Sequence, residues 1–150
     1  MDLMIKMKKM RSINAFLIVA RTLFPAVKAL TGLNIHPRGH ALLAAHSLEC
    51  ILKALLLCKG VNETEIYNFK VRHNLECMWR MAFDYSKDTK IPVWVYYLSI
   101  IHNSPYYGRY QQDNNGNAID AITYPPQRLT TAKLENILKK ANKIISRVVL

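Results

Sequence analysis

The segment Ala41–Gly60 is almost entirely apolar, yet His46, Glu49 and Lys53 interrupt it at spacings of three and four residues. On an α-helix these spacings place the three side chains on one face. A helix that is apolar around the rest of its circumference belongs in a protein core. The polar stripe must therefore meet a groove, a partner subunit or compensating polar groups.

Two interpretations of this stripe follow from its residue types. In the first, His46, Glu49 and Lys53 line a ligand groove or a subunit interface. In the second, which the pattern favours, Glu49 and Lys53 form an ion pair between successive helical turns, and His46 stacks above them as a satisfied core or interface group.

The rest of the chain also has helical periodicity. A first helix is predicted from Ser12 or Asn14 to Leu30, with a kink or restart at Pro25. A polar connector at 36–40 then leads into the apolar helix, and a short turn or helix is predicted within 62–69. Two further helices are predicted, one that starts after an N-cap at Asn74 and a last one over 131–149. The segment 91–102 has the β-branched and aromatic content of a strand, but no convincing second strand exists to pair with it. We therefore expect a helix there, followed by a long irregular segment over 103–128.

These elements predict a single domain over residues 1–150: an all-α, up-and-down bundle of four to five helices with a long loop before the last one. Cys50, Cys58 and Cys77 form no CxxC pair and lie among apolar residues, so we expect free thiols in a reducing compartment, and hence a cytoplasmic protein. The apolar run 41–58 contains Glu49 and Lys53 near its middle, which argues against a membrane span.

The net charge of +11 is unevenly distributed. Residues 1–28 carry six Lys or Arg against one acid, and residues 127–150 carry six against one, whereas the middle carries nine against eight. If the two ends of the chain meet, they form a basic face that could attract RNA, DNA or another polyanion. The alternative is a solvated pair of lysine-rich helix faces.

Three motifs in sequence resemble the HEPN family (higher eukaryotes and prokaryotes nucleotide-binding domain). Residues 46–57 with Lys59-Gly60 are similar to that family's "(H/Q)-x-LE-x-x-LKA-LL…G" helix. His73-Asn74-Leu75 resembles its "H-(D/N)-L" helix start, and Gly108-Arg109-Tyr110 resembles its "RY" segment. The resemblance covers roughly residues 35–150.

The resemblance implies a helical bundle that is usually homodimeric, and it offers two kinds of activity. Many members are metal-independent endoribonucleases of toxin–antitoxin or defence systems, paired with a cognate antitoxin or a nucleotidyltransferase-like protein; others only bind nucleotides or partners. Catalytic members carry Arg-x(4–6)-His. No arginine of this chain has a histidine at that spacing, the nearest pair being Arg38 and His46 with seven residues between them. We therefore predict non-catalytic binding of a nucleotide, RNA or protein partner, and assign no catalytic residue.

The nucleotide- or RNA-binding candidates are those cations, imidazoles and aromatic rings that can contact a phosphate or stack on a base: Arg38, His46, His73, Tyr107, Arg109 and Tyr110. Arg109, flanked by tyrosines, is the best single candidate; it could equally pin the long loop to the bundle. His36 and His40 lie close together, but nothing adjacent completes a metal site, so neither a metal nor a cofactor is expected. Two alternatives remain: a metal-independent endoribonuclease with a non-standard catalytic set, and an interaction module whose basic helices bind an acidic partner.

Overall fold

The computed structural model is all-helical over the residues that it describes, which are 2–103, 106–110, 112, 115–117 and 122–149, with no side-chain description for Arg109 and Val149. The helices are α1 (Leu3–Leu30), α2 (Arg38–Lys59), α3 (Glu63–Ile66), α4 (Leu75–Ala82), α5 (Val93–His102), α6 (Tyr107–Tyr110) and α7 (Gln127–Val149). The predicted all-α bundle is confirmed.

Helix α2 is the central element, since α1, α4, α5, α6 and α7 all pack against it. Its apolar residues are buried nearly all round, as the composition of the segment predicts. The helix ends at Gly60, whose φ of +103° lies in the left-handed region and lets its N–H bond to the carbonyls of Leu56 and Leu57. The core is therefore built around the same helix that carries the polar stripe.

Helices α1 and α7, which carry the excess positive charge, pack side by side. Arg21 donates to the side-chain oxygen of Asn142 at 2.7 Å, and the hydroxyls of Thr31 and Thr131 lie 2.7 Å apart. Arg21 thus meets a residue late in α7, whereas Thr31, the C-cap of α1, meets a residue early in α7. The two helices therefore run antiparallel. The two basic ends of the chain therefore do come together.

Helix α4 begins where the sequence predicts. The side chain of Asn74 accepts a hydrogen bond from the N–H of Cys77 at 3.0 Å, which satisfies one of the free donors of the first turn. Leu75, Met78 and Trp79 are the buried residues of this helix. The N-cap fixes the backbone at the position that follows His73.

The helix expected within 91–102 is present as α5, which begins at Val93 with Pro92 at its N-cap. Pro92 suits that position because it has no N–H to leave unsatisfied and its φ is already helical. Within the predicted irregular segment, α6 supplies a single turn of helix.

Three predicted boundaries are wrong. Helix α1 starts at Leu3 instead of Ser12 or Asn14, because Asp2 caps it by accepting from the N–H of Met4, and it continues through Pro25. Helix α2 starts at Arg38, so the predicted polar connector ends at Pro37. Helix α7 starts at Gln127 instead of Thr131, just after Pro126, whose carbonyl accepts from the N–H of Thr130. Asp2 caps α1, whereas α2 starts after Pro37 without a side-chain cap hydrogen bond; each of the three helices extends beyond its apolar stripe.

Within the described part of the chain, α1 and α2 are long and apolar enough to cross a membrane. The most apolar part of α2 is 78% buried by the rest of the fold, as in the core helix of a water-soluble domain, whereas that of α1 is 22% buried and lies near the N-terminus. Length and composition of this kind are weak evidence for a membrane span.

Candidate functional site

The carboxylate of Glu49 is the centre of a polar cluster within the core. His73 Nδ1 lies 2.5 Å and Lys53 Nζ 3.5 Å from its Oε1, and His46 Nδ1 lies 3.4 Å from its Oε2. His102 Nε2 lies 3.6 Å from Oε1. We refer to these five residues, His46, Glu49, Lys53, His73 and His102, as the Glu49 cluster.

Glu49 is ionised despite being only 3% exposed. Burial alone would raise the pKa of its carboxyl group, but the neighbouring imidazoles of His102 and His46 and the ammonium of Lys53 outweigh that effect. The pKa of Glu49 therefore lies well below its usual range. Because an ionised carboxylate can only accept hydrogen bonds, the contact with His73 places a proton on His73 Nδ1.

Lys53 is also buried, and it is held by both charge and aromatic rings. Its Nζ lies 5.7 Å from the ring centroid of Phe16 on α1 and 5.6 Å from that of Tyr67. The ion pair between Glu49 and Lys53 that the spacing predicts is thus present. This ion pair gives Glu49 and Lys53 a structural role. His46, the third residue of the polar stripe, lies at the solvent-exposed end of the stripe.

Three different elements deliver the histidines to Glu49. His46 lies one turn before Glu49 on α2, His73 lies in the turn just before the N-cap of α4, and His102 is the last residue of α5. The sequence pattern points to His46 and His73 but not to His102, since nothing in linear spacing relates the end of α5 to α2. The available signal was a histidine ending a helix that is otherwise almost wholly apolar.

The cluster opens towards solvent on one side. The side chain of His46 is 46% exposed and that of His73 is 30% exposed, whereas His102 is 3% exposed. The ring of Tyr106 meets the ring of His73 edge-on, with 6.0 Å between centroids. The structure thus presents two partly exposed imidazoles whose Nδ1 atoms face one carboxylate, with a tyrosine ring at their rim.

Helix α6 places two further candidate residues near this opening. Gly108 packs so closely on α2 that a Cβ there would lie 3.1 Å from Leu42 Cδ2. Leu42 lies one turn from Arg38 on one side and one turn from His46 on the other. Tyr107 is half-buried and Tyr110 exposed. The side chain of Arg109 lies outside the described residues, so its predicted role remains a prediction.

Among the described residues, three donor groups could hold a metal ion: His46, Glu49 and His102 each offer one atom, all within 4.8 Å of one another. The three belong to α2 and α5. The sequence does not predict this arrangement, because the histidines that lie close together along the chain are His36 and His40.

No family model, no curated protein and no solved structure matches this chain.

Proposed function

We propose that this chain is a HEPN-like, non-catalytic domain that binds RNA or a nucleotide at the face formed by the open side of the Glu49 cluster and α6. The observation that carries the proposal is the contact of Gly108 with Leu42, which sets α6 on α2 between Arg38 and His46. A guanidinium group, two imidazoles and several tyrosine rings then share one face. That combination suits a phosphate with an adjoining base, because cations contact the phosphate and rings stack on the base.

The antiparallel pair α1 and α7 supports the same proposal. Together these helices carry twelve Lys or Arg against one acidic residue, Glu135. The acid is already engaged, since Lys139 lies 3.6 Å from it. The remaining cations supply a field that attracts a polyanion irrespective of its sequence. In this proposal the basic helices provide non-specific affinity, and the face at α6 provides base contacts.

The resemblance to HEPN domains supports the biological setting that we propose: a cytoplasmic homodimer within a toxin–antitoxin or defence system, with an antitoxin or nucleotidyltransferase-like protein as partner. The apolar residues exposed on α1, among them Ile18 and Val19, give a dimer some surface to bury. Light scattering tests the dimer, and a monomer at every concentration would contradict it.

The binding proposal is tested by fluorescence anisotropy with a labelled, unstructured RNA. Tyr110→Ala and His46→Ala are each expected to weaken binding about tenfold, the effect of losing one stacking or phosphate contact. Tyr96→Ala and Phe69→Ala are the controls, because each removes an exposed aromatic ring outside that face. Equal effects of the control and site variants would contradict the proposed face, and no binding at low salt would contradict RNA binding altogether.

A metal-independent endoribonuclease is the second candidate, favoured by the convergence of His46 and His73 on Glu49. With Nδ1 of both rings turned to the carboxylate, the two Nε2 atoms remain for proton transfer. One would accept the proton of a 2′-hydroxyl as its oxygen attacks the phosphorus, and the other would donate a proton to the leaving 5′-oxygen. Each such transfer contributes about 100- to 10,000-fold to a rate.

Cleavage of RNA in the presence of EDTA tests this candidate. An active protein should lose cleavage in both His46→Ala and His73→Ala while retaining it in His36→Ala. Absence of cleavage by the unaltered protein at high concentration would eliminate the enzyme and leave the binding proposal standing.

A further inference from the structure

His102 is the least satisfied polar side chain of the Glu49 cluster. It is 3% exposed, and neither Nδ1 nor Nε2 has a hydrogen-bond partner among the residues that the structure describes. Its Nε2 is nevertheless directed at the carboxylate of Glu49, at 3.6 Å, which is too long for a hydrogen bond. A buried imidazole left unpaired costs free energy, so its position calls for a ligand.

We propose that His46, Glu49 and His102 form a binding site for a divalent transition metal, with zinc as the best match. Two imidazole nitrogens and one carboxylate oxygen are a common three-ligand set for zinc and for iron(II). A metal about 2.1 Å from each of its ligands in tetrahedral geometry requires ligand atoms roughly 3.4 Å apart. His46 Nδ1 lies 3.4 Å from Oε2 of Glu49 and His102 Nε2 lies 3.6 Å from Oε1, so each carboxylate oxygen has one imidazole nitrogen close to that distance.

The remaining separations close by a small side-chain movement. The three ligand atoms lie within 4.8 Å of one another, so no pair needs to approach by more than about 1.4 Å to share a metal. His46 is the residue free to move, because nearly half of its side chain is exposed. The same exposure leaves a fourth coordination position for water or a substrate atom.

His73 and Lys53 define the surroundings of this site. His73 Nδ1 donates to Oε1 of Glu49 and thereby orients the carboxylate, the role that an outer-shell partner plays for a metal ligand. Lys53, at 3.5 Å from the same oxygen, opposes the ion by its positive charge. The site should therefore bind metal more weakly than one with an uncompensated carboxylate, and should gain affinity when Lys53 loses its charge.

The site is tested by titrating the metal-free protein with Zn²⁺ in a calorimeter and with Co²⁺ in an absorption spectrometer. We expect one equivalent of each ion, a cobalt d–d spectrum of four- or five-coordination, and no thiolate-to-cobalt charge-transfer band. His46→Ala and His102→Ala should each lower zinc affinity at least about tenfold, and His73→Ala by about tenfold. Lys53→Met should raise it.

Two controls keep the outcome decisive. His36→Ala removes an exposed histidine outside the cluster and should leave zinc binding unchanged. His46→Ala alters a partly exposed side chain, so it decides the question even if His102→Ala fails to fold. The proposal is overturned if the protein binds no zinc, if His46→Ala binds as well as the unaltered protein, or if a thiolate band shows that cysteines hold the ion. RNA binding is measured without metal and stands or falls separately.

Discussion

His73 Nδ1 donates a 2.5 Å hydrogen bond to Oε1 of Glu49, joining the turn before α4 to the centre of α2. The same oxygen faces Lys53 and His102, and the other oxygen faces His46. One buried carboxylate thus holds four potential cations that arrive from three separate parts of the chain. The RNA-binding face and the metal site both use side chains of this cluster.

Replacing the charge of Glu49 should destabilise the fold strongly. Glu49→Gln leaves the buried ammonium of Lys53 without its counter-charge, and breaking a buried ion pair costs about 3–5 kcal/mol of unfolding free energy. Glu76→Gln is the matched control, because the Glu76 carboxylate pairs with Arg80 at the surface and is 40% exposed; it should cost less than about 1 kcal/mol. Urea unfolding near neutral pH measures both. Equal losses in the two variants would show that the Glu49 pair contributes no more than a surface pair.

The difference between Glu49→Gln and the unaltered protein should also depend on pH. Because the pKa of Glu49 is lowered on folding, its contribution to stability is fully present above the unfolded value of 4.5 and is lost as pH falls towards the folded value. The unaltered protein should therefore lose its advantage over Glu49→Gln as the pH falls below about 4. Urea unfolding at a series of acidic pH values measures this, and an advantage that stays constant to the lowest pH would contradict the lowered pKa.

Gly108→Ala should displace α6 from α2. The added Cβ would lie 3.1 Å from Leu42 Cδ2 and 3.2 Å from the carbonyl oxygen of Ile101, and the backbone oxygen cannot give way easily. Overpacking of this kind costs about 1–3 kcal/mol. At Gly39, in α2, the nearest atom would be Leu30 Cδ1 at 3.7 Å, so Gly39→Ala should be neutral or stabilising. Thermal unfolding measures the loss of stability, and RNA affinity measures the displacement of α6. An unchanged melting temperature and an unchanged RNA affinity for Gly108→Ala would contradict the close packing of α6.

Asn74→Ala should weaken the start of α4 and loosen His73 beside it. Loss of the cap to the N–H of Cys77 costs about 1 kcal/mol. The NMR signal of the His73 ring should also change, because the turn that aims it at Glu49 is no longer fixed. Asn74→Asp retains a capping oxygen and should retain stability. A fully stable Asn74→Ala would show that the observed cap contributes nothing.

The three cysteines should differ in reactivity. Burial raises the pKa of the Cys50 thiol to about 11, with the charge of Glu49 adding to the effect. Cys58 and Cys77 are less buried, and because only the thiolate reacts, iodoacetamide near neutral pH should modify both before Cys50. Peptide mapping by mass spectrometry gives the order. Modification of Cys50 first would mean that the core around α2 opens readily.

Cations on α7 should determine how steeply RNA binding depends on salt. Replacing exposed Lys143 and Arg147 by Gln removes two charges, and each lost phosphate contact should lower the slope of log K against log salt by about 0.7. Lys87→Gln with Lys90→Gln removes the same charge from an exposed loop and serves as the control. If the control lowers the slope as much, net charge and not the α1–α7 face attracts the RNA.

Local signals predicted most of the fold. The apolar stripes predicted where the helices lie, and Asn74 predicted the start of α4, but the helix starts at Leu3, Arg38 and Gln127 lie outside those stripes. The ion pair of Glu49 with Lys53 follows from helical spacing alone. The contacts of His73 and His102 with Glu49 could not be predicted in this way, because they depend on how α4 and α5 pack against α2, which linear spacing does not encode.

The most direct test of the central claim is an NMR titration of the histidine rings with an unstructured RNA in the presence of EDTA. Binding at the proposed face predicts that the ring signals of His46 and His73 shift together and saturate, while that of His40, buried beside Thr131, stays in place. Saturable RNA binding that leaves His46 and His73 unmoved would contradict the account and confine the contact to the basic helices.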